Sequence, residues 1–187
     1  MTPSEGCELA DEYWKRQEYE KAYKLYNEAY AAGYAPACVG LGDFHYYGIL
    51  GERDYSKAVA LYKIGAEKGY ATAQHALAAV YNTIEHYKDA LYWYTRAAEQ
   101  DEPSACEGLG YLYQNGLGTN VDAAQAIRWY KKGASLGNSN CMMAIGWILY
   151  FGELVPKDAH KAREYFETAR NAGNKRADDA LRRINTL

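Results

Sequence analysis

Two aspartates, Asp11 and Asp43, stand at matching places in two similar phrases, CELADEY from Cys7 and ACVGLGDFHYYG from Ala37. Two carboxylates brought close can divide general-acid and general-base work. A solvated acidic patch, or contacts to a basic partner, is the expected role instead. The four histidines, His45, His75, His86 and His160, have no metal-ligand spacing to one another or to cysteine. No G-x-S-x-G, P-loop or H-E-x-x-H motif occurs. The run GLGYLYQNGLG is rich in glycine but follows no strand, so it is not read as a phosphate cradle. No catalytic residue, metal ligand or cofactor is therefore expected.

What positions the aspartates is a repeat. AYKLYNEAYAAG from Ala22 returns as AVALYKIGAEKG from Ala58, ALYWYTRAAEQD from Ala90, AIRWYKKGASLG from Ala126 and AREYFETARNAG from Ala162. The intervals are 36, 32, 36 and 36 residues, one being short by four, about a helical turn. A second phrase precedes each of these, with core positions Leu9, Leu41, Leu77, Leu109 and Ile145. Each is followed by a small residue, Ala10, Gly42, Ala78, Gly110 or Gly146, which lets two helices approach closely. Ala126, Trp129, Tyr130, Gly133 and Ala134 fall at i, i+3, i+4, i+7 and i+8, one face of a helix. Gly33, Gly69, Asp101, Gly137 and Gly173 end the phrases where a helix takes a left-handed residue. A single helix hairpin cannot bury both apolar faces, whereas hairpins stacked in register can.

These phrases resemble the Sel-one-like repeat, a relative of the tetratricopeptide repeat. Ala105 to Gly137 carries the pattern almost in full: Leu109-Gly110, Tyr113, Gly116, Gly118, Ala126, Trp129-Tyr130, Gly133-Ala134 and Gly137. The last repeat departs from it at Ile145 and Thr168-Ala169, and the first and third are short in the hairpin. The resemblance covers about residues 5–175. It implies an all-α fold, a right-handed α-solenoid of five stacked helix hairpins plus a C-terminal capping helix. The expected repeats are 5–36, 37–72, 73–104, 105–140 and 141–176, with the cap over 175–186, all within one domain, 1–187. The resemblance also implies a scaffold or adaptor that binds other proteins.

Composition narrows the class. A net charge of −3 gives no general pull toward nucleic acid or anionic lipid, so neither a nucleic acid nor a membrane is expected as partner. Many of the 20 tyrosines sit at repeat seams, for example Tyr26, Tyr62, Tyr94 and Tyr130. The N-terminus has neither the basic nor the apolar region of a signal peptide, and CMMAIGWILYF is too short to span a bilayer. Cys7, Cys38, Cys106 and Cys141 fall in four different repeats, so they read as small core thiols in a reducing cytoplasm.

In tetratricopeptide-like stacks the first helix of each repeat lines the concave surface. Its exposed positions lie two before the core residue and two, five and six after it. In this chain they give Asp11, Trp14 and Lys15; Asp43, Tyr46 and Tyr47; His75 and Asn82, with Thr83; Glu107, Tyr111, Gln114 and Asn115; and Trp147 and Tyr150, with Met143 and Phe151. Tyr and Trp there are potential anchors for a partner. The expected function is a non-catalytic protein-interaction module, monomeric when free, taking a protein or peptide in this groove. Two alternatives stand beside it: a cytoplasmic regulator or immunity protein that blocks a bacterial toxin or effector, and a hydrolase acting on cell-wall or β-lactam substrates. Secreted relatives associated with the latter chemistry carry a disulfide in each repeat, a pattern absent here.

Overall fold

A computed structural model describes residues 1–185, with the side chain of Asn185 left out. Among the described residues there are eleven helices and no strand. They are α1 (Pro3–Lys15), α2 (Tyr19–Ala31), α3 (Ala37–Tyr47), α4 (Tyr55–Glu67), α5 (Ala71–Thr83), α6 (Tyr87–Glu99), α7 (Pro103–Asn115), α8 (Ala123–Ser135), α9 (Ser139–Phe151), α10 (Ala159–Asn171) and α11 (Ala177–Asn185). The fold is an all-α helix-hairpin repeat of the solenoid class. The chain packs as two compact units, residues 1–97 and 98–187. In the N-terminal unit each helix from α1 to α5 packs on the next, and the C-terminal unit repeats this from α7 to α11.

The short interval has a simple origin. Helices α5 and α6 keep 13 residues each, so no helical turn is missing. The four residues are lost from the hairpin loop: 84–86 joins α5 to α6 and 16–18 joins α1 to α2, against 48–54, 116–122 and 152–158 in the other hairpins. Each long loop ends in an aspartate whose carboxylate accepts the backbone N–H three residues on. These are Asp54 to Lys57, Asp122 to Gln125 and Asp158 to Lys161, all at 2.9 Å. They are helix N-caps of the usual kind. The expected left-handed residues between hairpins all have positive φ, from 61° at Asp101 to 90° at Gly69. A Cβ at Gly69 or Gly137 would meet nothing within 4 Å, so backbone conformation, not space, selects glycine there.

Close approach selects the glycines after the core residues. A Cβ on Gly42 would lie 2.3 Å from a Tyr62 ring carbon, on Gly110 2.4 Å from Tyr130, and on Gly146 2.5 Å from Phe166. Each glycine is thus the seat for an aromatic ring from the second helix of its own hairpin. Leu41, Leu77, Leu109 and Ile145 are buried, while Leu9 is partly exposed. Helix α11 buries Ala177, Ala180 and Leu181 against Met142, Met143 and Phe166, with Ile184 packed beside them. Residue 186 of the expected capping helix lies outside the described residues. Leu181 stands 36 residues after Ile145, so α11 is in register as a further first helix, but Arg182 occupies the position of the small residue.

Candidate functional site

The first-helix positions do not form equivalent surfaces in every hairpin. In the N-terminal unit, α3 and α5 enclose a recess of about 230 Å³ that gathers Asp43, Tyr46, Tyr47 and His75. Four residues picked from spacing alone therefore line one concavity. Tyr46 and Tyr47 meet edge to face, centroids 4.8 Å apart and planes at 81°. Thr83 donates its hydroxyl proton to the Ala79 carbonyl, which leaves Tyr46 to donate to Thr83 Oγ1 at 3.1 Å. Tyr47 is 52% exposed.

Beneath these rings the Tyr62 hydroxyl donates to Asp43 Oδ1 at 2.5 Å. The neighbouring hairpin repeats the arrangement, with the Tyr26 hydroxyl donating to Asp11 Oδ1. Burial pushes the Asp43 carboxyl up to about 6, aided by the charge of Asp11 and opposed by the Tyr62 hydrogen bond. Burial also drives the Tyr62 and Tyr26 hydroxyls far above the ordinary tyrosine range, and the aspartate facing each adds to the effect.

The other expected groove residues of this unit have differing surroundings. Trp14 lies edge-on to Phe44 at 4.8 Å and to Tyr19 at 5.5 Å, so its ring closes the core between α1 and α3. Lys15 is exposed at the end of α1. Asn82 keeps its Oδ1 buried and without a hydrogen-bond partner among the described residues. His75 borders the recess with its ring tilted against Tyr94 at 5.9 Å.

In the C-terminal unit a second recess, of about 410 Å³, lies on the first-helix face of α7, α9 and α11. Glu107 Oε2 accepts from Asn138 Nδ2 at 3.1 Å and Asn140 Nδ2 at 3.3 Å. Trp147 stacks on Phe151 at 5.5 Å, meets Phe166 at 4.8 Å and carries the Arg183 guanidinium at 5.4 Å. Tyr111 is 48% exposed but lies outside the recess. Gln114 accepts from the Tyr130 hydroxyl at 3.0 Å, and Asn115 donates to the Tyr111 carbonyl of its own helix at 2.8 Å. Both amides therefore serve the fold. The Tyr150 ring lies 5.1 Å from Lys157 Nζ. Reading by spacing missed Asn140, Arg176, Asp179 and Arg183, which complete this recess. The signal was present: Asp179 and Arg183 stand 36 residues after Met143 and Trp147.

Among the described residues no three His, Cys, Asp or Glu side chains converge to hold a metal ion, and no helix is long and apolar enough to cross a membrane. All four cysteines are free thiols; Cys38, Cys106 and Cys141 are buried.

Comparison with known proteins meets the same pattern. The Sel1 repeat family model matches residues 12–34, 35–70, 85–102, 103–138 and 139–174. A chitin synthase regulator of Malassezia restricta is 32% identical over 114 residues, covering 57% of this chain and 8% of that protein. The chain thus spans only a small part of that relative. A Sel1 repeat protein from Oxalobacter formigenes superposes with a TM-score of 0.79 at 26% identity, over 94% of this chain and 73% of that one. A protective antigen with an SLR fold from uropathogenic Escherichia coli gives 0.76 at 28% identity, over 96% of this chain and 40% of that one. With its repeat model matched across most of its length, the chain belongs to the Sel1 repeat family.

Proposed function

We propose that this chain is a non-catalytic protein-interaction module, an adaptor or regulator that holds a partner protein or peptide on its first-helix face. The observation that carries the reading is the recess holding Asp43, Tyr46, Tyr47 and His75. Packing the hairpins does not require a tyrosine half open to solvent at position 47, and amphipathic rings in such places are the usual anchors of an interface. The name of the fungal relative, a regulator of another protein, agrees in kind. The free buried thiols favour a reducing compartment, the cytoplasm.

The test is capture of partners from the lysate of the organism of origin, with Tyr47→Ala/Tyr111→Ala in parallel. Both rings are about half exposed, so their loss leaves the core intact. Trp14 is unsuitable because its ring packs on Phe44. Truncating a hot-spot tyrosine costs ~2 kcal/mol or more, roughly 30-fold in affinity. A partner held by the parent and lost by the folded double variant is the expected outcome. Equal retention would remove the first-helix face from the reading, and a parent that captures nothing would remove the reading itself.

A further inference from the structure

The recess of the N-terminal unit is selective in its chemistry. We propose that it is a socket for one cationic side chain, lysine or arginine, presented by the partner. This rests on the reading that the chain binds a protein, and it names what that protein must offer.

Size comes first. At about 230 Å³ the recess falls below the ~300–1,000 Å³ of small-molecule pockets and suits a single side chain. The space exists because α5 contributes Ala76 and Ala79 where bulkier residues would fill it. The walls come next. Tyr46 and Tyr47, set nearly at right angles, form an aromatic corner, and ring faces attract cations through their quadrupole. The floor is decisive. Asp43 is held by the Tyr62 hydroxyl, yet it has no ion pair among the described residues, and no lysine or arginine lines the recess.

The carboxylate is thus partly desolvated without a counter-charge, and its raised pKa, about 6, reflects that deficit. An ammonium or guanidinium would supply the missing charge and a charge-assisted hydrogen bond. An anion would be repelled by Asp43 and, behind it, Asp11. A purely apolar side chain would seal the carboxylate away from water with nothing to pair it.

The experiment is an amide-resolved NMR titration of the full chain with Nα-acetyl-arginine methylamide and Nα-acetyl-lysine methylamide. The citrulline analogue, matched in shape to arginine but neutral, is the control. Saturable shifts at Asp43, Tyr46 and Tyr47 are expected with at least one cation, which also decides between lysine and arginine. Citrulline should bind at least tenfold more weakly. Asp43→Asn keeps an acceptor for Tyr62 and should weaken cation binding at least tenfold. Tyr47→Leu keeps bulk without the ring and should weaken it several-fold.

The inference is overturned if neither cation binds, if citrulline matches arginine, or if Asp43→Asn binds as the parent does. Should Asp43→Asn not fold, the citrulline contrast and Tyr47→Leu decide. Partner capture that depends on Tyr47, without cation binding, would sink the socket and leave the interaction module standing. Cation binding without any captured partner would do the reverse.

Discussion

Asp43 carries a charge that the fold does not neutralise, and stability should register it. Its folded pKa, about 6, lies above the ~3.9 of an unfolded aspartate. As pH falls through that window the native state takes up a proton that the unfolded chain does not, so this group's contribution to stability rises toward acid. The groups around it are Tyr62 on α4, Asp11 on α1, Tyr46 and Tyr47 on α3, and His75 on α5. Asp43→Asn removes the penalty while keeping the acceptor. We expect it to exceed the parent in stability by ~1–2 kcal/mol at pH 7.5, after discounting for partial exposure, with the gap closing toward pH 4. Urea denaturation across that range checks this, and a gap independent of pH would refute it. At this scale the sequence was partly legible. Counting from Leu41 and Leu77 placed Asp43, Tyr46, Tyr47 and His75 on one face, because position in a helix fixes direction. It could not show that Trp14 folds back on Phe44 or that Gln114 is taken by Tyr130, since reach and rotamer depend on residues far along the chain.

The helix pair is the element that repeats, and its closest fit is ring against glycine. A Cβ at Gly110 would come within 2.4 Å of Tyr130 and within 2.7 Å of three of its ring carbons. That ring is itself buried, so it has little room to yield. Alanine is the better helix former by ~1 kcal/mol, while overpacking costs ~1–3 kcal/mol and more when the neighbour is fixed. Gly110→Ala should therefore destabilise the protein by ~1–2 kcal/mol in a denaturant titration. A neutral or stabilising result would mean the ring is not seated there. The hairpins themselves were legible because core leucine, small residue and left-handed glycine each recur in register. The four missing residues equal a helical turn in length, yet comparison with the full repeat pattern already placed the shortening of the first and third repeats in the hairpin. Period alone cannot show that they left the loop, since a shortened helix and a shortened loop give the same interval. The loop's own mark was Gln17 and Glu85, which take positive φ near the positions that Gly48, Gly116 and Gly152 hold in the longer hairpins.

For the whole chain, repetition multiplied a weak signal into a clear family assignment, while the partner stayed unwritten because no position in the repeat pattern encodes it. Tyr26, Tyr62 and Tyr130 hold their phenolic protons far past the point where a free tyrosine gives its up. The unfolded chain ionises them near pH 10, so above that pH each pulls the equilibrium toward the unfolded state, and three together make the slope steep. Ultraviolet difference absorbance should show these three phenolates emerging only as helical circular dichroism is lost. Ionisation of all 20 tyrosines ahead of unfolding would contradict that. In the α9/α10 hairpin the same seat is filled by Phe166, which has no proton to lose. The protein is thus fitted with latent phenolic acids at the seams of α1/α2, α3/α4 and α7/α8, through which alkali should act, whereas the Phe166 seat between α9 and α10 offers it no phenol.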